Sequence, residues 1–357
     1  MKWNLKKANN WYNQHDWLVG CNFLPSSSIN QLEMFQKETF DILTIKKEIK
    51  LASGLGFNVL RVYLHDLLWK NKKELITNIK IFLNICGKYK IKVILVLFDD
   101  CHRPFPTLGK QPKPVKGVHN SGWVASPGKK IIDKIHSNKI EKKDIDYLKN
   151  YTQGILQNFN KDKRILMWDL YNEPGALASS AYSLSLGKNK SLKLLKLVWK
   201  WAREVNVSQP LTSCTQGSVG KKLIDFNKKN SDIITFHDYD KKTLLRNIKK
   251  NLKEKRPVIC TEYMAREFGT TFQFSLPIFK KYKIGCINWG LVVGKSQTHF
   301  NWKTVEKLES KIKKKQFLKK RDKIPEPKVW FHDIFRIDGS PYDKNEINII
   351  KKNLSNK

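Results

Sequence analysis

Short runs of apolar and β-branched residues recur along the chain, separated by longer segments with helical periodicity. The runs are Trp17–Phe23, Phe57–Leu64, Ile91–Asp99, Arg164–Tyr171, Pro210–Thr215, Asp232–His237, Arg256–Glu262 and Ile284–Gly290. Most are apolar at nearly every position rather than at alternate ones, as strands covered on both faces should be. Between them, Lys73–Tyr89 places Leu75, Ile79, Phe82, Leu83 and Cys86 at helical spacing, and Thr44–Leu55 runs into GLGF, whose glycines stop a helix. Asp144–Phe159, Ser191–Val205, Lys242–Lys253 and Phe272–Tyr282 follow the same logic, and a helix near the C-terminus follows a turn at Asp338–Gly339. Strands alternating with helices through right-handed crossovers build a parallel sheet. About eight such units close it into a single-domain (β/α)8 TIM barrel of the α/β class, spanning residues 1–357. The alternative is an open doubly wound sheet, but no glycine-rich phosphate fingerprint follows any strand.

The loop after the third strand, from Asp100 to about Ile140, is long and rich in Pro, Gly, His and Trp. Such loops are uncommon unless they form binding surface, and this one leaves the catalytic face of a barrel. A lysine-rich stretch, about 311–328, reads as a basic surface excursion.

Charge changes the picture less than its size suggests. The net charge is +36, from 68 Lys and Arg against 32 Asp and Glu. A polyanion partner is one reading. The other is composition: Lys, Asn and Ile are all abundant, as AT-rich codons specify. The excess is lysine spread over predicted helices, whereas arginine is the usual bidentate phosphate ligand. No specific nucleic-acid partner is therefore expected. The 6 cysteines show no zinc or CxxC spacing and read as reduced thiols, four of them within strands. No apolar run reaches the roughly 18 residues that span a membrane, and no apolar signal segment is visible at the N-terminus. If Met1 is the native start the expectation is a cytoplasmic protein, otherwise a periplasmic or secreted one.

Candidate chemistry sits where strands end. The fourth strand ends in Trp168-Asp169-Leu170-Tyr171-Asn172-Glu173-Pro174, and the seventh in Cys260-Thr261-Glu262-Tyr263. A glutamate at the end of a buried strand is costly without a task or a partner. Two of them on opposite walls of one barrel mouth can flank a glycosidic bond, one as proton donor and one as nucleophile.

With His237-Asp238-Tyr239 after strand six, Asn288-Trp289-Gly290 on strand eight and Arg61 on strand two, the sequence resembles clan A glycoside hydrolases, especially the cellulase-like family 5. The resemblance extends from Trp17 to the tail. It implies a retaining hydrolase of β-glucan, β-mannan or xylan chains, with Glu173 as acid/base and Glu262 as nucleophile. It further implies that Asn172 bonds the sugar 2-hydroxyl, that Arg61 and Tyr239 orient Glu262, that His237 lines the mouth, and that Trp289 stacks on the sugar. Each residue also has a plainer reading: Glu262 as an ion-pair partner of Arg61 or Arg266, and His237 or Trp289 as core. Softer mouth candidates are His65, Asp99, His119, Asn120, Trp123, Gln216 and Trp302. Many family members carry a histidine near the end of strand three, so Phe98-Asp99-Asp100-Cys101-His102 is a departure or a shift.

A two-carboxylate mechanism needs no cofactor, and the histidines show no metal-ligand spacing. A monomer with a carbohydrate substrate is expected. The competing function is a catalytically inactive barrel that binds sugars or polyanions. Against it stands the intact set Asn172, Glu173, His237, Tyr239, Glu262 and Trp289.

Overall fold

In the computed structural model, which describes residues 1–175, 189–215, 220–307 and 325–355, the eight apolar runs become eight parallel strands. They are β1 (Val19–Asn22), β2 (Val59–Tyr63), β3 (Lys92–Asp99), β4 (Ile165–Asn172), β5 (Leu211–Thr212), β6 (Ile234–His237), β7 (Val258–Tyr263) and β8 (Gly285–Trp289). Their order is β5-β4-β3-β2-β1-β8-β7-β6, with β1 paired to β8, so the sheet curls round on itself. The seam lies between β5 and β6. There the Thr215 amide donates to Thr235 O (2.9 Å), the Asp232 amide donates to Leu211 O (2.8 Å), and the Thr212 and Thr235 hydroxyls meet at 2.9 Å. The result is the expected (β/α)8 barrel, nearly closed by a regular ladder and finished by these seam bonds.

The outer helices include α3 (Ile42–Gly54), α4 (Lys72–Lys88), α6 (Lys142–Asn158), α7 (Leu192–Val205), α9 (Lys241–Leu252) and α10 (Phe272–Lys281), each within two residues of its sequence expectation. The C-terminal helix, α11 (Lys344–Ser355), packs beside α10. The sequence reading did not find α1 (Leu5–Asn13), α2 (Gln31–Phe35), α5 (Lys129–His136) or α8 (Lys221–Asn230). These are short, and α1 and α8 are mostly Lys and Asn with a single buried apolar residue each, Ala8 and Leu223. Such short segments with so few apolar positions do not stand out from the polar stretches around them. Gln216 and residues 311–324 of the basic excursion lie outside the described residues.

Alternate residues of each strand point into the barrel, and the interior is filled in layers. At the bottom, Leu18, Val59, Ile94, Ile233, Ile259 and Ile287 cluster with Trp3 and Ala8 of the N-terminal segment, which plugs the lower mouth. Two residues further along β2, Arg61 occupies the middle layer, and two further again Tyr63 reaches the top beside Val96, Cys101 and Trp123. All 6 cysteines are buried and none is in a disulfide. No helix among the described residues is long and apolar enough to cross a membrane.

One buried carboxylate ties the plug to the barrel wall. Asp232 accepts from the Trp3 amide (2.8 Å), the Leu211 amide (2.9 Å) and the Arg203 guanidinium of α7 (2.9 and 3.0 Å). Asp232→Ala leaves two buried amides and a largely buried cation without partners. Unfolding in urea is expected to show a loss of about 2–3 kcal/mol, whereas Asp225→Ala on the partly exposed side of α8 should change stability by less than about 0.5 kcal/mol.

Candidate active site

A cleft of about 620 Å³ opens at the C-terminal end of the barrel and is lined by Asn172, Glu173, His237, Tyr239, Glu262 and Trp289. This volume falls within the ~300–1,000 Å³ usual for small-molecule sites. The base of the cleft is organised by Arg61, which is wholly buried. Its Nε and Nη2 donate to Asp169 Oδ2 (3.0 and 2.7 Å), Nη1 to Asn22 Oδ1 (2.9 Å) and Glu262 Oε1 (2.8 Å), and Nη2 to Asn172 Oδ1 (2.7 Å). Burial disfavours its charge, but Tyr63, Asp169 and Glu262 outweigh that penalty and hold it firmly protonated.

Glu262 accepts from Arg61 and from the Tyr63 hydroxyl (2.7 Å) on Oε1, and from the Tyr239 hydroxyl (2.7 Å) on Oε2. Each of these partners donates, which is the pattern of an ionised, acceptor-only carboxylate. Burial and the adjacent carboxylate push both tyrosines well above their ordinary range, so they remain donors.

Glu173 is held differently. Its Oε1 lies 2.8 Å from His237 Nδ1, and its Oε2 lies 3.5 Å from the Cys101 thiol. His237 Nδ1 is also 3.4 Å from Glu262 Oε2, so this ring stands between the two carboxylates. Burial opposes the imidazolium, but the flanking Cys214, Glu262 and Glu173 outweigh it and raise His237 well above its usual value. Glu173 is correspondingly lowered: burial would raise it, and the His237 hydrogen bond and charge prevail. The raised histidine and lowered glutamate, 2.8 Å apart, favour an imidazolium at His237 paired with a Glu173 carboxylate.

The backbone at this point is also constrained. Glu173 has φ +39°, in the left-handed region that non-glycine residues rarely enter, and Gly175 follows at φ +74°. Asp100 locks this turn, accepting from the Gly175 amide, the Ser191 hydroxyl and the Tyr171 hydroxyl (2.7 Å). Burial raises the Asp100 carboxyl to about 6 in spite of these donors. Asp99 plays the parallel part for Asn172, accepting from its Nδ2 (2.9 Å), from Trp123 Nε1 (2.6 Å) and from the Cys101 amide (2.9 Å). Burial lifts Asp99 to about 7.

Of the softer candidates, His119, Asn120, Trp123 and Trp302 reach the cleft. His119 Nδ1 meets Phe300 O at 2.7 Å, and burial lowers its pKa to about 3, so it is a neutral ring. Trp302 packs edge-on to Tyr239 with ring centres 5.1 Å apart. Asp99 is buried behind Asn172 and Trp123 rather than facing the opening. His65 is placed away from the cleft: Nε2 bonds Ala125 O (3.0 Å) and Nδ1 accepts from the Leu67 amide (3.1 Å), so it braces the long loop. Tyr63, Cys101 and Asp100 take part in ways the sequence reading did not assign. Tyr63 was accessible as the residue two beyond Arg61 on the same strand face. Asp100 carried the same signal as the glutamates, an acid closing an apolar strand.

Glu173, His237 and Glu262 each bring one donor atom to within 4.8 Å of the others, a spacing that could also suit a cation. In this arrangement both carboxylates are already engaged by Arg61, Tyr63, Tyr239 and His237.

The model of the Cellulase family (glycosyl hydrolase family 5) matches residues 25–293. Among solved structures, the endo-1,4-β-mannanase from Rhizomucor miehei aligns at 12% identity and TM-score 0.57, covering 96% of this chain and 95% of that one. The endo-1,4-β-D-mannanase from Thermotoga petrophila aligns at 12% identity and TM-score 0.56, covering 96% and 100%. An exo-β-1,4-mannosidase from an Opitutaceae bacterium aligns at 15% identity and TM-score 0.59, covering 96% of this chain but 60% of that one. No curated protein matches the sequence. With the family model spanning most of the barrel, the chain belongs to glycosyl hydrolase family 5.

Proposed function

We propose that the protein is a retaining β-glycosidase, with Glu262 as nucleophile and Glu173 as acid/base. The observation that carries this reading is the spacing and asymmetry of the two carboxylates. Oxygens of Glu173 and Glu262 lie within 4.8 Å of each other. Retaining enzymes place their carboxyl groups at about 5–5.5 Å, whereas inverting ones need about 6.5–9.5 Å to admit a water. Glu262 is fixed and charge-paired, as an attacking carboxylate should be, while Glu173 shares a proton with His237, as a proton donor should.

In the first half-reaction Glu262 attacks the anomeric carbon and Glu173 delivers the shared proton to the leaving oxygen. A covalent glycosyl ester on Glu262 results. In the second, Glu173 takes a proton from water, the water attacks the anomeric carbon, and the ester bond to Glu262 breaks. Asn172, held between Arg61 and Asp99, is placed to bond the sugar 2-hydroxyl, and Trp289 offers a stacking face.

A neutral β-linked glycan fits the cleft best. Among its described lining residues there is no lysine, and Arg246 is the sole arginine, against Asp238, Asp240 and Glu306 beyond the two glutamates. The excess positive charge therefore lies away from the site. The mannanase and mannosidase names of the structural neighbours make β-mannosides the first substrates to test, with cello- and xylo-oligosaccharides beside them. An inactive barrel that binds polyanions would be indicated by tight, salt-sensitive DNA binding without hydrolysis of any of these.

Several variants separate the roles. Glu262→Ala should lower turnover at least ~10⁴-fold, with azide restoring activity as an inverted glycosyl azide. Glu173→Ala should keep attack on dinitrophenyl glycosides but show a burst and slow deglycosylation, rescued by azide with retention. Near-wild-type rates for either variant would remove that residue from the chemistry.

Tyr63→Phe deletes one donor to the nucleophile without changing the ring. Its kcat/KM should fall about 10- to 100-fold, the range for a hydrogen bond to a charged group, with some loss of thermal stability because the same hydroxyl accepts from the buried Arg61.

The pH profile tests the shared proton. Activity should fall on the alkaline side when the Glu173–His237 pair loses its proton, at a pH raised by the histidine. His237→Gln leaves that proton to Glu173 alone, so the alkaline limb of kcat/KM should move acidward by about one unit. An unmoved limb would show that the histidine does not hold the proton.

A further inference from the structure

The end of the cleft beside Trp289 is built as a wall. Three loops meet there, those after β1, β3 and β8. The β3 loop is bonded to the β1 loop by Asn30 Nδ2 to Gly122 O (2.9 Å) and Gln31 Nε2 to Val124 O (2.6 Å). It is bonded to the β8 loop by the Asn120 amide to Ser296 O (2.7 Å), the Gly117 amide to Gln297 Oε1 (2.8 Å) and the His119 amide to Thr304 Oγ1 (3.0 Å).

The β8 loop in turn rests on the β1 loop, where Lys295 N donates to Ser26 O (3.0 Å). The loops pack so closely here that a Cβ on Gly294 would lie 2.3 Å from the Ser26 backbone, and one on Gly122 would lie 2.2 Å from the Ile29 side chain. A strap joined to both neighbours and packed to backbone contact has little freedom to swing aside.

The wall presents Trp123 and Trp289, crossed edge-to-face at 5.8 Å, and Asn120. Asn120 is 3% exposed, and neither of its amide atoms has a partner. A buried amide left unpaired costs roughly 1–3 kcal/mol, so its presence at the lip of a sugar-sized opening points to a hydroxyl that completes it. The opposite side of the barrel is different: Arg246 of α9, the helix after β6, is exposed at the cleft. Glu173, which must face the leaving group, bonds His237 on β6, the strand whose loop forms that open side. The leaving group thus departs outward, and the sugar that forms the glycosyl ester points into the wall.

We infer that the β1–β3–β8 strap closes the glycone side of the site after a single sugar, so that the enzyme removes one terminal residue at a time from the non-reducing end. This rests on the glycosidase reading given above and adds its mode of action: the substrate class is short β-linked oligosaccharides and chain ends, and Asn120 is the residue that checks for a free terminal hydroxyl.

The test uses paired oligosaccharides of the manno, cello and xylo series labelled at the reducing end. Members of the manno and cello series are prepared with and without a 4,6-O-benzylidene cap on the non-reducing sugar. The expected result is stepwise shortening of uncapped chains by one sugar and refusal of capped ones. Asn120→Ala should lower kcat/KM on the uncapped chains about 10-fold or more, with the folded state confirmed by unchanged circular dichroism.

Cleavage of capped chains at wild-type-like rates, or early release of internal fragments, would overturn the inference while leaving the hydrolase reading intact. Failure to hydrolyse both these chains and dinitrophenyl β-glycosides would overturn the hydrolase reading, and the inference with it.

Discussion

A single buried guanidinium holds this site together. Arg61 has no exposed surface, and a charge so placed is tolerated only when every donor direction is met. The chain meets them with five residues from four strands: Asn22 of β1, Tyr63 of β2, Asp169 and Asn172 of β4, and Glu262 of β7. Each partner is fixed by Arg61 and fixes it in return. The proposed nucleophile is thus positioned from inside the barrel, by strands, while the proposed acid/base stands on a strained turn at the rim. That division matches their tasks. An attacking carboxylate needs fixed charge and direction, whereas a group that gives and takes a proton needs a partner with which to share it.

The supporting acids show how far this order spreads. Asp99 and Asp100 are consecutive and both buried, yet they serve different neighbours: one positions Asn172 and Trp123, the other the backbone after Glu173. Asp99 also joins the chemistry to the long loop, because Trp123 belongs to that loop and forms part of the closed wall. A change in loop packing is therefore transmitted to Asn172 through one carboxylate.

Much of this was legible in the sequence because strands buried on both faces leave an unbroken apolar signature, and acids closing such strands have no core reason to be there. The barrel, its strand boundaries and the pairing of Glu173 with Glu262 follow from those two facts. Features that depend on side-chain direction were harder. His65 lies only two residues beyond Tyr63, the last residue of β2, yet one turns into the loop and the other onto the nucleophile. Period-2 alternation from Arg61 selects Tyr63, but nothing in the pattern aims His65 at Ala125. The short polar helices α1 and α8 were missed because each buries one apolar residue only, Ala8 or Leu223, and docking through contacts such as Trp3 to Asp232 helps hold them in place. The pairing of Glu173 with His237 is a 2.8 Å contact between the end of β4 and β6 that no linear spacing encodes.

The central claim is that a covalent bond forms between substrate and Glu262. The most direct measurement is peptide mass mapping after incubation with a 2-deoxy-2-fluoro β-glycosyl fluoride, whose fluorine slows deglycosylation more than attack. The expected result is one added glycosyl mass, carried by the peptide containing Glu262 and absent from Glu262→Gln. A label on Glu173, or turnover of natural substrate to the inverted anomer with no label at all, would contradict it.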